Sequence, residues 1–407
     1  MAYEVPHAYI ERYADLLVNW ALGTGAGISP GEVVQVVAPE SAKPLYAELC
    51  RAVWRAGGHV LSDYLPDDGG SVNLSRDFFE IAGEEQRAFF PASYHRGVVD
   101  QVDHMVYVRC AADPHALQNA DPAKVLAQQR AYGPLDEWKT AKEGAGRNTW
   151  TVALYGTEAM AAEARMPIED YWQEIIVACY LEQPDPKARW SEVAEQIQAH
   201  IAALDALPIE RLHVKGPDVD LRLRLGEQRR WIGGEGRNIP SFEVFTSPDW
   251  RGTEGWIRFS EPLYELESLI KGIELEFEDG VVTRARAAEN EALLLEILAT
   301  ENANRVGEFS LTDSRLSPIT RFMAETLFDE NVGGRFGNTH IAVGKAIHQC
   351  YDGQADELSA RDWERLGFND SVVHTDIVST TDREVTAVLA DRSRRTIYGG
   401  GRFELDS

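Results

Sequence analysis

The chain has 407 residues, 44% of them hydrophobic and 26% charged, which is enough apolar material for a packed core in two domains or one large domain. Its formal net charge of -26 repels nucleic-acid phosphates and anionic lipid headgroups, and its apolar runs are far shorter than the roughly 20 residues that cross a bilayer. We therefore expect no nucleic-acid or membrane partner, and the absence of a basic and apolar leader at the N-terminus predicts a cytoplasmic location.

The first half of the chain alternates helical and strand patterns, as is typical of a layered α/β domain. Residues 7–22 carry apolar side chains at helical spacing, and the pattern ends at Gly23. A β-branched run at 33–37, a helical pattern at 41–55 and a β-rich run at 59–64 predict one βαβ unit. Further predicted elements are strands at 104–109 and 149–155, and a helical stretch at 168–207 with a break near the prolines at 184–186.

The pattern changes at about Leu212, where short β-rich runs separated by Gly, Asp, Asn and Pro replace the helices. We therefore predict an N-terminal α/β domain at 1–211 and a β-rich α+β domain at 212–407. The strands predicted in the second domain are 221–225, 243–246, 255–259, 273–277 and 372–379. All candidate metal ligands fall in this C-terminal domain, which we expect to be the catalytic one.

The cysteines give information on metal sites and on the redox compartment. There are four of them, widely separated along the chain, with no C-x-x-C pair: Cys50, Cys110, Cys179 and Cys350. This spacing argues against both a zinc ribbon and a disulfide framework. We expect buried, reduced thiols.

Five potential metal ligands lie in strand-like segments of the C-terminal domain: Glu243, Glu308, His340, His374 and Asp376. His374 and Asp376 lie in the run Val-Val-His-Thr-Asp-Ile-Val, whose β-branched residues predict a strand. Side chains two positions apart on a strand point to the same face, so one face presents an imidazole beside a carboxylate. Taken alone, an H-x-D pattern also fits solvated or structurally satisfied positions.

The other three candidates are ambiguous when each is taken alone. Glu243 lies between two apolar residues, so it either needs a compensating cation if it is buried or turns to solvent on the pleat. Glu308 has the same two interpretations, with Arg305 available as an ordinary salt-bridge partner. His340 follows a glycine-rich loop that permits tight turns beside a site, although a histidine there is also compatible with a structural role.

As a set, three carboxylates and two imidazoles suit zinc, cobalt or manganese better than a thiolate-selected metal or an all-oxygen calcium site. Two divalent ions carry a charge that three carboxylates and one bridging hydroxide neutralise. Such a pair of ions would activate water, polarise a scissile carbonyl and hold a substrate amine. The set therefore predicts metal-assisted amide hydrolysis.

The second half of the chain contains a series of motifs around these residues. In order, they are Asn238-Ile-Pro, Glu-Val-Phe-Thr-Ser-Pro248, Arg-Val-Gly-Glu308, Leu-Phe-Asp-Glu-Asn331, His340-Ile-Ala-Val-Gly344 and Gly-Phe-Asn-Asp-Ser-Val-Val-His374-Thr-Asp376. At these motifs the sequence resembles the thermophilic metallo-aminopeptidase family, of the aminopeptidase T and aminopeptidase S type. The chain length is also similar to that of the family, whereas the first 200 residues fit it only by general character.

The resemblance implies a dinuclear site with two divalent metal ions per chain (Zn, Co or Mn). The ligands that it implies are Glu243, Glu308, His340, His374 and Asp376. It also implies that Glu308 is the catalytic carboxylate, shared between the two ions. Finally, it implies a homodimer enclosing a cavity that limits substrates to small peptides with free N-termini.

One position departs from the family pattern. Family members carry a tyrosine seven residues after the ligand histidine, where this chain has Ile347, followed by His348 and, after two more residues, Tyr351. A phenol there would donate a hydrogen bond to the oxyanion of the tetrahedral intermediate. We therefore expect a substitute donor such as His348 or Tyr351, a slower enzyme, or a different chemistry. Alternatively, the tyrosine is one wall of the cavity, which isoleucine fills. These three residues are our candidates for substrate binding.

Two other functions remain open on this sequence. A divergent relative would use one metal for another reaction, for instance as an iron-dependent ring-cleaving dioxygenase, since two histidines and a carboxylate also suit non-heme iron. The non-enzymatic alternative is a metal-bound peptide-binding module that lost turnover together with the tyrosine. The presence of both Glu243 and Glu308 favours two metals over the single iron.

Overall fold

The computed structural model describes residues 3–69, 72–117, 120–266, 268–355 and 358–405. The α-helices are α1 (His7–Leu16), α2 (Lys43–Arg55), α3 (Leu74–Ile81), α4 (Glu84–Arg87), α5 (Ala92–Gln101), α6 (Pro122–Ala131), α7 (Gly133–Gly144), α8 (Glu158–Glu163), α9 (Ile168–Ala178), α10 (Pro186–Asp205), α11 (Glu291–Ala299), α12 (Thr326–Asp329) and α13 (Ala360–Leu366). Short 3₁₀ or π turns occur at Leu17–Ala21, Leu22–Gly25, Glu40–Ala42 and His348–Cys350.

The strands are short in both halves of the chain. In chain order they are β1 (Val33–Pro39), β2 (His59–Leu65), β3 (His104–Arg109), β4 (Thr149–Leu154), β5 (Ile209–Gly216), β6 (Val219–Arg224), β7 (Asn238–Ile239), β8 (Glu243–Thr246), β9 (Asp249–Arg258), β10 (Leu263–Glu265), β11 (Ser268–Ile270), β12 (Glu274–Glu278), β13 (Val281–Arg286), β14 (Val306–Thr312), β15 (Asn338–Gly344), β16 (His374–Ser379), β17 (Glu384–Leu389), β18 (Arg394–Gly399) and β19 (Arg402–Phe403).

The first compact unit contains the chain up to Glu192 and the later segment Glu235–Ser241. Its strands form a parallel sheet in the order β2-β1-β3-β4-β7. β1 has the sequence Val-Val-Gln-Val-Val-Ala-Pro and is largely buried, as is usual for a parallel strand. The helix α2 has Pro44 in its first turn, where proline is tolerated, and it contacts β1 and β2. The predicted βαβ unit is thereby confirmed.

The second compact unit contains Val193–Gly234 and the chain from Phe242 onwards. It has an eight-stranded antiparallel sheet in the order β13-β12-β9-β6-β5-β17-β18-β19 and a two-stranded pair β10-β11. A separate four-stranded antiparallel sheet has the order β16-β15-β14-β8. The predicted fold class, an α/β protein with a layered α/β part and a β-rich α+β part, is confirmed.

The two central strands of the four-stranded sheet, β14 and β15, are buried at every position. Their sequences are nevertheless not purely apolar, because they contain Glu308 and His340. A buried charged side chain is unfavourable unless it has a partner. The interpretation in which the two candidate glutamates turn to solvent is wrong, since Glu243 and Glu308 are each only 5% exposed.

The structure also bears on the sequence-based expectations about membranes and thiols. Within the described ranges, no helix is both long and apolar enough to cross a membrane. All four cysteines are unbridged; Cys50, Cys179 and Cys350 are buried, whereas Cys110 is only half-buried. The expectation of burial is therefore wrong for Cys110.

Candidate metal centre

The register of the four-stranded sheet sets the direction of the candidate ligands. Residues that lie opposite each other in an antiparallel pair share a face, and so do alternate residues along one strand. Glu308 of β14 and Asp376 of β16 both lie opposite Ala342 of β15. His340 is two residues from Ala342, and His374 is two residues from Asp376. These four candidates therefore project from one face.

Glu243 reaches the same face from the edge strand β8. It lies opposite Thr312 of β14, and Thr312 is four positions after Glu308 on that strand, so the two side chains share a face. The intervening residue on that face is Ser310, which lies opposite His340. The structure thus brings all five predicted ligand residues together on one surface.

The ligand atoms form two groups of three that share Glu308. In the first group, His340 Nε2 lies 3.1 Å from Glu308 Oε1 and 3.3 Å from Glu243 Oε2. In the second group, His374 Nε2 lies 3.8 Å from Glu308 Oε2 and 3.5 Å from Asp376 Oδ1. Within each group, one ligand atom of every residue lies within 4.8 Å of the others, which is close enough for all three to hold one ion.

Burial and mutual charge shift the pKa values of Glu308, His340 and His374. Burial raises the pKa of Glu308 to about 7, with Asp376 and Glu243 acting in the same direction against the hydrogen bond to His340. Burial alone would lower the pKa of His374, but Asp376 and Glu308 raise it to about 9. His340 is affected in the same way, because Glu243 and Glu308 hold its pKa well above the ordinary value. Protons on the imidazoles thus supply positive charge to the carboxylates when no cation does.

Two residues outside the ligand set orient two of its members. Ser310 Oγ donates a hydrogen bond to Glu243 Oε2 at 2.9 Å. His374 Nδ1 lies 2.7 Å from the carbonyl oxygen of Lys345. Because a carbonyl oxygen only accepts, Nδ1 of His374 must donate, which directs Nε2 of the ring towards the carboxylates. Histidine ligands of metals are commonly fixed in this manner.

The donor set fits divalent metal ions of the zinc, cobalt and manganese type. Oxygen and imidazole nitrogen donors suit these metals, and neither group contains a thiolate. Among the described residues, Asp376 Oδ1 is buried and has no hydrogen-bond partner. The imidazoles of His374 and His340 lie 3.5 and 3.8 Å away without forming that bond, so this oxygen has a lone pair available for a metal ion. The residues present therefore fit the metal that the sequence predicts.

Sequence reasoning gave no role to Glu330 and Asn331, although both lie in a motif of the family resemblance. Glu330 is buried, and burial, followed by the charges of Glu243 and Asp376, raises its pKa well above the ordinary value. Asn331 is fully buried; its Nδ2 lies 3.4 Å from Glu330 Oε1, and its Oδ1 accepts from the backbone N–H of Phe242 at 2.6 Å. The sequence feature that could have identified them is the polar run Asp329-Glu330-Asn331. It follows the apolar residues Leu327 and Phe328 and lies between β14 and β15.

The three residues predicted to bind substrate lie in the turn after β15, against a hydrophobic cluster. Ile347 is half-buried and packs on this cluster, and Tyr351 is buried within it. The ring of His348 stacks on Trp363 with a centroid distance of 3.9 Å and an interplanar angle of 3°. Burial, with smaller effects of Lys345 and Arg229, lowers the pKa of His348 to about 4, so the ring is uncharged near neutral pH.

Known proteins match this chain over nearly its whole length. The chain matches the family described as thermophilic metalloprotease (M29) over residues 7–403. Aminopeptidase T of Thermus thermophilus is 30% identical, with 97% of this chain and 98% of the relative covered. Aminopeptidase T of Thermus aquaticus is 29% identical, with 95% and 97% covered. The solved structure of wild-type AmpT from Thermus thermophilus matches with a TM-score of 0.80 at 26% identity, covering 97% of this chain and 99% of that chain.

Proposed function

Because the chain belongs to the thermophilic metalloprotease (M29) family, we propose that it releases N-terminal residues from peptides at a dinuclear divalent metal site. The family match covers nearly the whole chain and confirms the expectation of a metal-dependent aminopeptidase. The second metal ion and the assignment of ligands to each ion are the further steps that we propose.

The observation that carries the proposal is the position of Glu308. This carboxylate belongs to both three-residue groups, with Oε1 towards His340 and Oε2 towards His374. One ion would be held by Glu243, Glu308 and His340, and the other by Glu308, His374 and Asp376. A carboxylate that offers one oxygen to each of two sites is suited to bridging two ions.

On this assignment, one side chain and one backbone carbonyl hold two of the ligands in place. Ser310 holds Glu243 in place, and the Lys345 carbonyl keeps the Nε2 lone pair of His374 directed at the cluster. The ions would supply Lewis acidity, which activates water and polarises the scissile carbonyl. Zinc, cobalt and manganese are the candidates, since the donors are oxygen and imidazole nitrogen.

We propose small peptides with free N-termini as substrates, a homodimer as the assembly and the cytoplasm as the compartment. The substrate class is supported by relatives named aminopeptidase T in two Thermus species. The unbridged cysteines fit a reducing compartment. The homodimer rests on the family resemblance and is tested by light scattering. The enclosed cavity predicts, in addition, that intact casein is not cleaved.

Metal reconstitution combined with peptide turnover tests the proposal. The protein is stripped with a chelator, reloaded separately with zinc, cobalt or manganese, and analysed for metal content per chain. Peptides and their N-acetylated counterparts are then assayed by product mass, the acetylated peptides being the matched control. We expect two ions per chain, loss of activity on chelation, and cleavage only of peptides with a free amino terminus.

Other outcomes would point elsewhere. Full activity of the metal-free protein would overturn the metal-dependent proposal. One ion per chain would favour the mononuclear alternative, and peptide binding without release of amino acids would favour a binding module.

A further inference from the structure

We propose that the sheet surface on the β8 side of Glu308 forms an apolar subsite, lined by Phe245 and Ile347, for an uncharged apolar side chain at the substrate's N-terminus. We call this surface the β8 subsite. The inference rests on the proposed aminopeptidase function and names the substrate class that the site selects.

Phe245 places an aromatic ring on the ligand face. It is two residues after Glu243 on β8, so both side chains project from the same face. It lies opposite Ser310, whose partner on the other side is His340. Phe245 is only half-buried, whereas its neighbour Val244 on the other face is completely buried. Phe245 therefore keeps some exposed surface, on the strand that also carries Glu243.

Ile347 is held next to the same surface by the turn that follows β15. At one end of this turn, the Lys345 carbonyl accepts from His374 Nδ1 at 2.7 Å. At the other end, the backbone N–H of Ile347 donates to Ser247 Oγ at 2.8 Å, directly after β8. The turn thus runs from β16 to β8 across the end of the ligand sheet.

The turn also passes very close to the strand that carries Glu308. A Cβ added to Gly307 would lie 2.3 Å from the carbonyl oxygen of Lys345, so only glycine permits this approach. Phe245 and Ile347 pack against one hydrophobic cluster, which also contains Cys350 and Phe368. Phe245 of the ligand sheet and Ile347 of the turn therefore share one apolar cluster on the β8 side.

Two of the basic groups near this surface are engaged or uncharged, whereas the Lys345 ammonium acts on His348 as a nearby positive charge. The Arg229 guanidinium donates to the carbonyl oxygens of Ser247, Glu227 and Leu366 and lies 3.6 Å from the Phe368 ring centroid. His348 is stacked on Trp363, and its low pKa keeps it neutral at pH 7. A lysine side chain of a substrate would lose hydration here without gaining a partner, whereas leucine would bury apolar surface.

The preference of the β8 subsite is measured with tripeptides that differ only in the N-terminal residue: leucine, phenylalanine, alanine, lysine or glutamate. In apolar pockets, one methylene changes kcat/KM by roughly 10- to 200-fold. We expect leucine or phenylalanine to exceed alanine by at least about 10-fold, and lysine to be the poorest. Ile347→Ala and Phe245→Ala should reduce the leucine-to-alanine ratio by about 10-fold, with unchanged metal content.

Leu358→Ala is the matched control, because Leu358 is a half-buried apolar residue on the same cluster but makes no hydrogen bond to the ligand sheet within the described chain. It should leave the ratio unchanged. Turnover without preference for apolar residues, or equal effects of Leu358→Ala and Ile347→Ala, would overturn the inference while the proposed function stands.

Binding of free L-leucine, L-alanine and L-glutamate to zinc-loaded protein, measured by calorimetry, separates the two proposals. If no peptide is cleaved but leucine binds at least about 10-fold more tightly than alanine, and Ile347→Ala removes the difference, the β8 subsite stands and the proposed function fails. If neither cleavage nor a binding preference is found, both fail.

Discussion

Ser310→Ala tests whether the sheet supports the ligands as the geometry indicates. The substitution removes a fully buried hydroxyl that donates to Glu243 Oε2 at 2.9 Å. Loss of such an outer partner typically weakens metal binding by about 10- to 100-fold, or about 1.4 to 2.7 kcal/mol. Since Glu243 belongs to only one of the two groups, one ion should bind normally and the other weakly. Turnover should fall at limiting metal and recover in excess metal.

The assay is a cobalt titration against a competing chelator, followed by cobalt absorption and by peptide turnover on the same samples. Thr312→Val is the matched control, because Thr312 is on the same strand as Ser310 and lies opposite Glu243 of β8. Its buried hydroxyl has no hydrogen-bond partner in the described part of the chain, so its loss should leave metal affinity unchanged. Wild-type affinity for both ions in Ser310→Ala would refute the reasoning, and equal weakening by both variants would indicate general loosening of β14.

Three further predictions concern the ligands and the turn after β15. Glu308→Gln and His374→Ala should abolish turnover and lower metal content below two ions per chain, while circular dichroism shows the fold retained; near-native turnover of either variant would remove that residue from the site. Burial lowers the pKa of His348 to about 4, so the unfolded chain binds a proton that the folded chain does not, and stability that is present above about pH 6.5 is lost as the pH falls towards 4. The shift corresponds to about 3 kcal/mol, and His348→Phe should flatten urea-unfolding stability between pH 7.5 and 4.5; an unchanged slope would contradict this. Ile347→Tyr should raise the turnover number on alanyl substrates more than it changes their Michaelis constant, because a phenol can donate to the oxyanion; unchanged turnover at constant metal content would mean that the position serves packing or specificity alone.

The sequence was informative where the chemistry depends on local periodicity. The alternation in the run around His374 and Asp376 predicts that both side chains share a face, and β16 has that geometry. The register between strands depends instead on contacts between distant segments. No local pattern indicates that Glu308 and Asp376 both lie opposite Ala342, or that β14 shifts register between Val306 and Glu308.

Burial was equally hard to predict from one strand at a time. Alternation of apolar and polar residues ordinarily indicates one solvated face, and on that basis Glu243 is as well explained by exposure to solvent as by a metal. The sheet is instead covered on both faces, so that every residue of β14 and β15 is buried. The supporting contacts of Asn331 and the return of Glu235–Ser241 to the first unit depend on the same long-range packing.

The electrostatics of the cluster argue that it is organised for cations rather than for a buried ion-pair network. Buried ion pairs bring little net stability, because desolvation offsets most of their attraction. In the metal-free cluster, protons on His340 and His374 provide the compensating charge, which is why both pKa values are raised. Those protons leave Asp376 Oδ1 buried and without a hydrogen-bond partner among the described residues. Two cations bridged by Glu308 would displace the protons and also compensate that oxygen. Metal binding on the proposed assignment is therefore coupled to proton release and weakens as the pH falls.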